Sequence, residues 1–312
     1  MHSSYILRRL LQIIPLFLAV MVVVFVLVHL IPGDPVSAIL GDRATPDKVA
    51  RANRELGLDK PLAVQFGLFV NQVLHGNLGE SINLKVPVVR LILDRLPVTL
   101  FVDVYAAVLG VVMAVPLAVL AAVRRNTWID GLIRAVFQVG LSLPVFYVAL
   151  QLLTLLGARL GWFPIGGYGT TFSEHLYHLF LPALTLGLNL AAILVRTLRN
   201  SVIEVLTAEY VDFARAKGLR SRVIMTRHVL RNALIATVTL LGLNIGGLIG
   251  GAVITETVFA IPGVGKLMVD AIFGRDYPVI QGLTLTFAVL VSLVFLATDL
   301  IHARLDPRAE LS

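Results

Sequence analysis

The 312-residue chain contains no cysteine, which excludes disulfide bonds, cysteine-based zinc sites and thiol chemistry. Charged residues are also scarce, at 14% of the sequence, whereas soluble domains carry about a quarter. In their place 57% of the residues are hydrophobic, and these collect in runs of about 20, the length that crosses a bilayer as a helix. The chain is therefore predicted to be an all-α membrane protein.

Two motifs of enzymes are also absent. There is no Gly-x-x-x-x-Gly-Lys-Ser/Thr phosphate loop, so nothing indicates nucleotide binding, and there is no His-Glu-x-x-His metal motif. The formal net charge of +7 would suit a nucleic-acid-binding protein, but the charges lie mostly in short segments between apolar runs. Lys and Arg in such segments are typical of the cytoplasmic ends of membrane helices, so no nucleic-acid partner is expected.

Six apolar runs predict six transmembrane helices. Their predicted bounds are 10–31, 98–123, 132–156, 179–198, 233–253 and 282–300. The first run follows Arg8 and Arg9, as the core of a signal peptide would, but a signal core has only roughly 7 to 15 apolar residues. We interpret this longer run as a retained membrane anchor.

The distribution of Lys and Arg predicts the orientation in the membrane. With the N-terminus inside, the short outside loops contain only Arg159, Lys266 and Arg275, whereas the inside segment 199–231 is strongly basic. Both termini are therefore predicted to be cytoplasmic. The predicted parts are residues 1–31 (N-terminus and first helix), 32–97 (extracytoplasmic segment), 98–303 (five-helix core) and 304–312 (cytoplasmic tail).

The outside segment 32–97 is long for a loop between membrane helices. Its pattern predicts a short helix over 46–56 and an amphipathic stretch over 62–74. Such a segment could cap the outer mouth of a pathway or receive a docking protein. A plain loop with packed helices explains the pattern equally well.

The inside segment contains a predicted short helix over 207–217 that has all its end signals. Acidic residues at its start and basic residues at its end suit the helix dipole, and Gly218 can take the left-handed conformation that stops a helix. The charged residues are Glu209, Asp212, Arg215 and Lys217. Tyr210, Phe213 and Ala214 are three and four residues apart, so they are predicted to share one face. This helix could lie under the membrane or insert into a partner.

This segment resembles the cytoplasmic EAA loop of type I ABC import permeases. Asp212-Phe213-Ala214 is followed four residues later by Gly218, and then by His228-Val229-Leu230-Arg231. Asp212 stands for the Glu of the family motif, Phe213 for the first Ala, and Arg231 for the final Pro.

Further motifs resemble the dipeptide, oligopeptide and nickel branch of that family and extend over nearly the whole chain. They are Pro32-Gly33-Asp34-Pro35, Gly76-Asn77-Leu78-Gly79-Glu80-Ser81, Arg215-Ala216-Lys217-Gly218-Leu219, Glu256-Thr257-Val258-Phe259-Ala260-Ile261-Pro262-Gly263, Arg275-Asp276-Tyr277-Pro278 and Leu305-Asp306-Pro307-Arg308. The long outer segment is similar to that of the first of the two permeases that such systems pair.

The resemblance implies a multi-pass subunit of a bacterial or archaeal cell membrane. A second permease would complete the pathway as a heterodimer, an extracytoplasmic binding protein would deliver solute, and two cytoplasmic ATPases would bind ATP and Mg, leaving this chain without a cofactor. The segment 207–218 would be the coupling helix. Its ATPase-facing residues would be Glu209, Tyr210, Asp212, Phe213, Ala214, Arg215, Lys217 and Gly218.

Polar and glycine residues inside the spans are candidates for the translocation pathway. Gly242, Gly246 and Gly250 are four apart and predict a flat helix face that lines the pathway, meets the partner permease, or packs within the subunit. The candidates are Gln138, Asn189, Asn244, Gly246, Gly250 and Glu256. Amides that hydrogen-bond a neighbouring helix are an equal alternative for the three polar mid-span residues. Glu256 follows the fifth span and is predicted to shape an outer gate.

Other polar residues have simpler interpretations. Asp103 and Asp299 lie near span ends, where solvation at the interface explains them. His175 and His178 could contact a metal, although a pair without a third ligand is more often ordinary surface. An intramembrane enzyme and a passive channel are the rival functions. Neither a metal motif nor paired catalytic residues support the first, and a pore needs no coupling helix.

The orientation can be tested with single cysteines, because the native chain has none to react. We expect an impermeant thiol reagent to label the Asn77→Cys variant in intact cells, and to label Ser221→Cys only after the membrane is permeabilised. The opposite labelling pattern would reverse the assigned orientation.

Overall fold

The computed structural model describes residues 3–30 and 59–305. Across these ranges the regular structure is helical, which confirms the predicted all-α class, and Glu80 and Pro87 form an isolated bridge. The helices are α1 Ser3–Leu30, α2 Leu62–Leu74, α3 Val88–Val123, α4 Trp128–Ser142, α5 Val145–Leu152, α6 Phe172–Leu206, α7 Glu209–Ala216, α8 Arg231–Val258, α9 Val264–Phe273 and α10 Tyr277–Leu305. A π-helical turn, Leu153–Arg159, extends α5, and a second, Ile224–Leu230, runs into α8 after the short turn Ser221–Val223.

Within the described residues, each of the six predicted spans overlaps helical structure. Among residues 3–30 and 59–305, four helical segments are long and apolar enough to cross a membrane: Val88–Val123, Phe172–Leu206, Thr237–Val258 and Tyr277–Ile301. Helix α1 contains the shorter apolar stretch Ile14–Val26. The number of six spans and the cytoplasmic position of both termini therefore stay predictions.

The third predicted span is not one continuous helix. Its two halves, α4 and α5 with the following π-turn, are helical, but they are bent by 106° at the non-helical Leu143-Pro144. Proline has no N–H to donate, and its ring disfavours helical dihedrals at the preceding residue. Leu143 is accordingly extended, with φ −87° and ψ 133°. Pro116 and Pro182, by contrast, lie inside α3 and α6.

The outer segment differs from its predicted boundary at one end. Helix α2 has the predicted bounds, but α3 begins at Val88, so Pro97 lies inside a helix. Three predicted features fall outside the described residues: the helix over 46–56, the Pro32-Gly33-Asp34-Pro35 motif and residues 306–312 of the tail.

The described residues form two compact units, 97–266 with 293–305, and 3–30 with 59–96 and 267–292. In the second unit, Phe25 of α1 packs against Phe66 of α2, with ring centroids 5.3 Å apart. In the first unit α6 is the central helix. Two-thirds of its most apolar stretch is buried, whereas a third or less is buried in each of the other three long apolar segments.

Close packing of α6 on α3 depends on two glycines. A Cβ added at Gly187 would lie 3.0 Å from the carbonyl oxygen of Ala106, and one added at Gly110 would lie 3.1 Å from that of Gly187. Small residues of this kind allow two helix backbones to approach closely within a membrane. The buried leucines of α6, including Leu186, Leu190 and Leu194, complete the core of this unit.

Alanine substitutions at two helical glycines should distinguish the effect of this close packing on stability from the effect of helix propensity. Gly187→Ala should lower the thermal unfolding midpoint in detergent, because its methyl group would crowd the α3 backbone by an amount that costs about 1–3 kcal/mol. The matched control is Gly140→Ala in α4, where a Cβ meets nothing within 4 Å. That control should gain up to about 1 kcal/mol of helix propensity. Equal shifts in the two midpoints would contradict the proposed close contact.

Candidate functional site

Helix α7 occupies the predicted coupling segment and ends as its sequence predicts. Gly218 has φ +76°, the left-handed conformation that glycine adopts without strain. The N–H of Leu219 donates to the carbonyl of Ala214 at 3.3 Å, and the N–H of Gly218 donates to that of Arg215 at 2.9 Å. These two bonds form a Schellman motif, which turns the chain back towards α8.

One side of α7 faces the protein, and this corrects the predicted face of Ala214, whose part in coupling stays a prediction. Val211 and Ala214 are both buried, in a cluster that includes Leu198 and Val202 of α6 and Val229 of the π-turn before α8. Ala214 therefore does not share the exposed face of Tyr210 and Phe213. A helix turns 100° per residue, and the position next to an exposed one can face inwards.

The opposite side of α7 carries the two exposed aromatic residues. Phe213 is 66% exposed and Tyr210 44% exposed. The Tyr210 hydroxyl accepts a hydrogen bond from Asn232 Nδ2 at 2.8 Å, and Lys217 Nζ lies 5.2 Å from the centroid of the Phe213 ring. Arg215 forms an ion pair of 2.8 Å with Asp212 on the same surface. We name Tyr210, Phe213 and these charged neighbours, with Glu209 at the helix start, the α7 surface.

The Glu256 side chain forms hydrogen bonds inside the protein, and its predicted role in an outer gate stays a prediction. Its side chain is fully buried at the end of α8. Oε1 accepts from the Thr99 hydroxyl at 2.5 Å, and Oε2 accepts from the backbone N–H of Lys266 at 2.9 Å. The Thr99 oxygen in turn accepts from the N–H of Val264 at 2.9 Å. Glu256 thus joins α8, the first turn of α9 and α3.

Two glycines make this arrangement possible. A Cβ added at Gly263 would overlap the Glu256 carboxylate, and one added at Gly265 would lie 2.5 Å from Cα of Val253. The family motif that begins at Glu256 and ends at Gly263 is therefore a carboxylate and the turn that wraps around it. Its role in the structure is to fix the C-terminal end of α8.

Asp103 is a residue whose environment the sequence did not indicate. It lies one helical turn after Thr99 and is only 6% exposed, so the expected solvation at an interface is wrong. In the part of the chain that the structure describes, neither carboxyl oxygen has a hydrogen-bond partner. The sequence signal for this burial was the four-residue spacing from Thr99, which places Asp103 and Thr99 on one face of α3.

The remaining pathway candidates are partly accessible. Gln138 is exposed on α4, and Asn189 is half-buried on α6. Asn244 is half-buried and donates to the carbonyl of Leu240 in its own helix at 2.7 Å.

The glycine face of α8 divides between two environments. A Cβ at Gly242 would overlap Thr298 of α10, and one at Gly251 would lie 2.8 Å from Leu186 of α6. Gly250 is exposed, and a Cβ there meets nothing within 4 Å. Gly246 is half-buried between these positions. Packing within the subunit therefore explains part of the face and leaves Gly250 accessible.

Two family motifs in the second unit meet at one carboxylate. Asp276 Oδ2 accepts from the Ser81 hydroxyl at 2.5 Å and from the N–H of Asn83 at 3.2 Å, while Oδ1 accepts from the N–H of Ile82 at 3.1 Å. Asn83 Nδ2 also donates to the carbonyl of Gly274 at 3.0 Å. These bonds hold the end of the outer segment to the residues that precede α10.

The two outer histidines anchor a loop. His175 Nδ1 lies 2.8 Å from the carbonyl oxygen of Tyr168, and His178 Nδ1 lies 2.9 Å from that of Gly166. Across residues 3–30 and 59–305, no group of three potential metal ligands includes them.

Comparison with known families matches almost the whole chain. The family described as binding-protein-dependent transport system inner membrane component matches residues 114–311, and its N-terminal counterpart matches residues 2–103. The dipeptide transport system permease protein DppB of Alkalihalophilus pseudofirmus is 36% identical, over 98% of each chain. The glutathione transport system permease protein GsiC of Salmonella paratyphi A is 39% identical, over 97% of this chain and 98% of its own.

Solved structures show the same fold at lower identity. An inward-facing form of the MetNI methionine ABC transporter gives a TM-score of 0.60 at 20% identity, over 69% of this chain and 96% of the other. An amino acid ABC transporter crystallised with histidines gives a TM-score of 0.55 at 15% identity, over 69% of this chain and 94% of the other.

The buried carboxylates can be compared by amide substitution. Glu256→Gln should lower the unfolding midpoint at a cost of about 1–3 kcal/mol, because an amide has one acceptor oxygen where the carboxylate has two, and both accept hydrogen bonds here. Asp103→Asn is the matched control and should leave the midpoint unchanged or raise it, since it removes a carboxyl without a partner among the described residues. Thermal unfolding in detergent measures both. An unchanged midpoint for Glu256→Gln would contradict the anchoring role.

Proposed function

Because this chain belongs to the family of binding-protein-dependent transport system inner membrane components, we propose that the α7 surface is its docking site for a cytoplasmic ATPase. The chain is the permease subunit of an ABC importer and is not itself an enzyme, since separate ATPase subunits hydrolyse ATP. The exposed aromatic pair carries this proposal. Tyr210 and Phe213 form an apolar patch rimmed by charges, the composition expected of a protein interface.

The packing behind α7 supports a route for mechanical coupling. Val211 and Ala214 are buried against α6 and against the π-turn that continues into α8. Because packed cores deform little, an ATPase that displaces α7 would displace the ends of both helices with it. Helix α6 is the central helix of the unit, and the other end of α8 is fixed by Glu256. ATP-driven motion at α7 would thereby reach the far end of the bundle.

A small peptide or peptide-like solute is the proposed cargo. Relatives at 36–39% identity are named for dipeptide and glutathione transport, and both solutes carry amide groups. Side-chain amides can donate to and accept from peptide groups, so Gln138, Asn189 and Asn244 are suited to a pathway for such a solute.

A second, homologous permease is the proposed partner in the membrane. Gly250 is exposed on α8 and flanked along that face by Leu243 and Ile254, which are also exposed. Small residues between larger apolar ones let two membrane helices pack closely. The proposed assembly is this heterodimer, two ATPases and an extracytoplasmic binding protein, in a bacterial inner membrane.

The docking role of α7 can be tested at Phe213. Phe213→Ala should leave folding intact, because the ring is exposed, but weaken ATPase binding by about tenfold or more, as expected of an aromatic anchor at an interface. Copurification of the ATPases measures the loss, together with binding-protein-stimulated ATP hydrolysis in liposomes.

The matched control is Phe172→Ala. Phe172 is 67% exposed, almost the same as Phe213, but starts α6 at the end opposite to α7. It should retain wild-type copurification and stimulation. If Phe213→Ala also retains both, α7 is not the docking element.

A further inference from the structure

A groove between α4 and α6 carries an excess of positive charge that the transport function does not explain. Its volume is about 420 Å³, and its lining includes Arg134, Arg196 and Arg199. The rest of the lining includes apolar side chains, among them Phe137, Leu141 and Val195. Basic and apolar walls therefore meet in one cleft.

Among the described residues, one carboxylate, that of Asp130, is paired with two of these arginines, Arg134 and Arg199. Asp130 is fully buried and accepts two hydrogen bonds of 2.6 Å from Nε and Nη2 of Arg199. Arg134 reaches the same carboxylate only through Nε at 3.3 Å, and its side chain is 58% exposed. Arg196 is exposed and has no acidic partner within residues 59–305. One negative charge thus stands against three guanidinium groups.

The groove lies near the basic end of the helices. Helix α4 begins three residues after Arg125, and Trp128 at its start is exposed. Exposed Trp next to Lys and Arg is typical of the boundary between hydrocarbon and lipid headgroups, and an excess of Lys and Arg marks the cytoplasmic side. With the predicted orientation, the groove opens at the inner leaflet, whose anionic lipids attract basic residues.

We propose that this groove binds the headgroup of an anionic phospholipid. The phosphate is held by Arg134 and Arg196, which both line the groove. An acyl chain lies along Phe137, Leu141 and Val195. Arg199 takes no part in binding, because Asp130 uses its Nε and Nη2, and Asn200 Oδ1 accepts from its Nη1 at 3.2 Å.

The proposal requires both walls of the groove. A free anion would use only the guanidinium groups, and an uncharged lipid would use only the apolar side. Phosphatidylglycerol carries both parts, whereas glycerol phosphate has the same charge chemistry without the acyl chains. Comparing these two ligands therefore distinguishes a lipid site from a site for free phosphate.

The test is titration of the detergent-purified importer, with its ATPases, with fluorescent phosphatidylglycerol. Arg134→Gln and Arg196→Gln should each weaken binding about fivefold, and the double variant about 25-fold, given the usual contribution of one basic residue to anionic lipid binding. The control is Arg125→Gln, an exposed arginine at the same end that does not line the groove. It should bind as the wild type does.

Three results would overturn the proposal. The first is equal binding by the double variant and the Arg125→Gln control, which would indicate general attraction to a basic surface. The second is glycerol phosphate displacing the lipid at similar concentrations, which would indicate a free-anion site. The third is loss of ATPase copurification in the double variant with lipid binding unchanged, which would make the groove a protein interface.

Discussion

The close approach of α3 and α6 at Gly110 and Gly187 is the contact on which the first unit depends. Inside a bilayer the apolar side chains gain little by leaving lipid, so helices associate through close van der Waals packing and a few buried polar bonds. The two glycines permit that packing, and Glu256 supplies the polar bonds at the end of α8. The remaining helices of this unit are arranged around α6, the most buried of them.

Buried carboxylates have a common structural use in this protein. Glu256 holds a turn after α8, Asp276 holds the end of the outer segment, and Asp130 holds Arg199. Each accepts several hydrogen bonds, so the cost of burying the charge is offset by its partners. Asp103 differs, because the described residues supply no partner for its oxygens. Glu256 and Asp276 both lie in motifs that resemble those of a transport family. In each motif the carboxylate accepts the hydrogen bonds that fix a turn.

Helix α7 shows how local and tertiary information divide. Its end signals are local: charges suited to the helix dipole and Gly218 at the left-handed position, and both are present in the structure. Which side faces the protein depends on Leu198, Val202 and Val229, which are distant from α7 in the sequence or separated from it by a turn. The prediction from sequence spacing alone therefore placed Ala214 on the same helix face as Tyr210 and Phe213. The same limit applies to the bend at Leu143-Pro144, where apolar composition continues through a break in the backbone.

The sequence by itself determined the class of molecule, because apolar run length and scarce charge depend only on composition along the chain. It also determined the position of α7, through the signals at the ends of that helix, and the family of the chain, through short sequence motifs. Only the tertiary structure decided that Glu256 is an anchor inside the protein and that Asp103 is buried. It also showed that Arg134 and Arg196 line one groove between α4 and α6. These properties depend on residues far apart in the sequence that meet across helices, and no period or motif within one helix specifies that meeting.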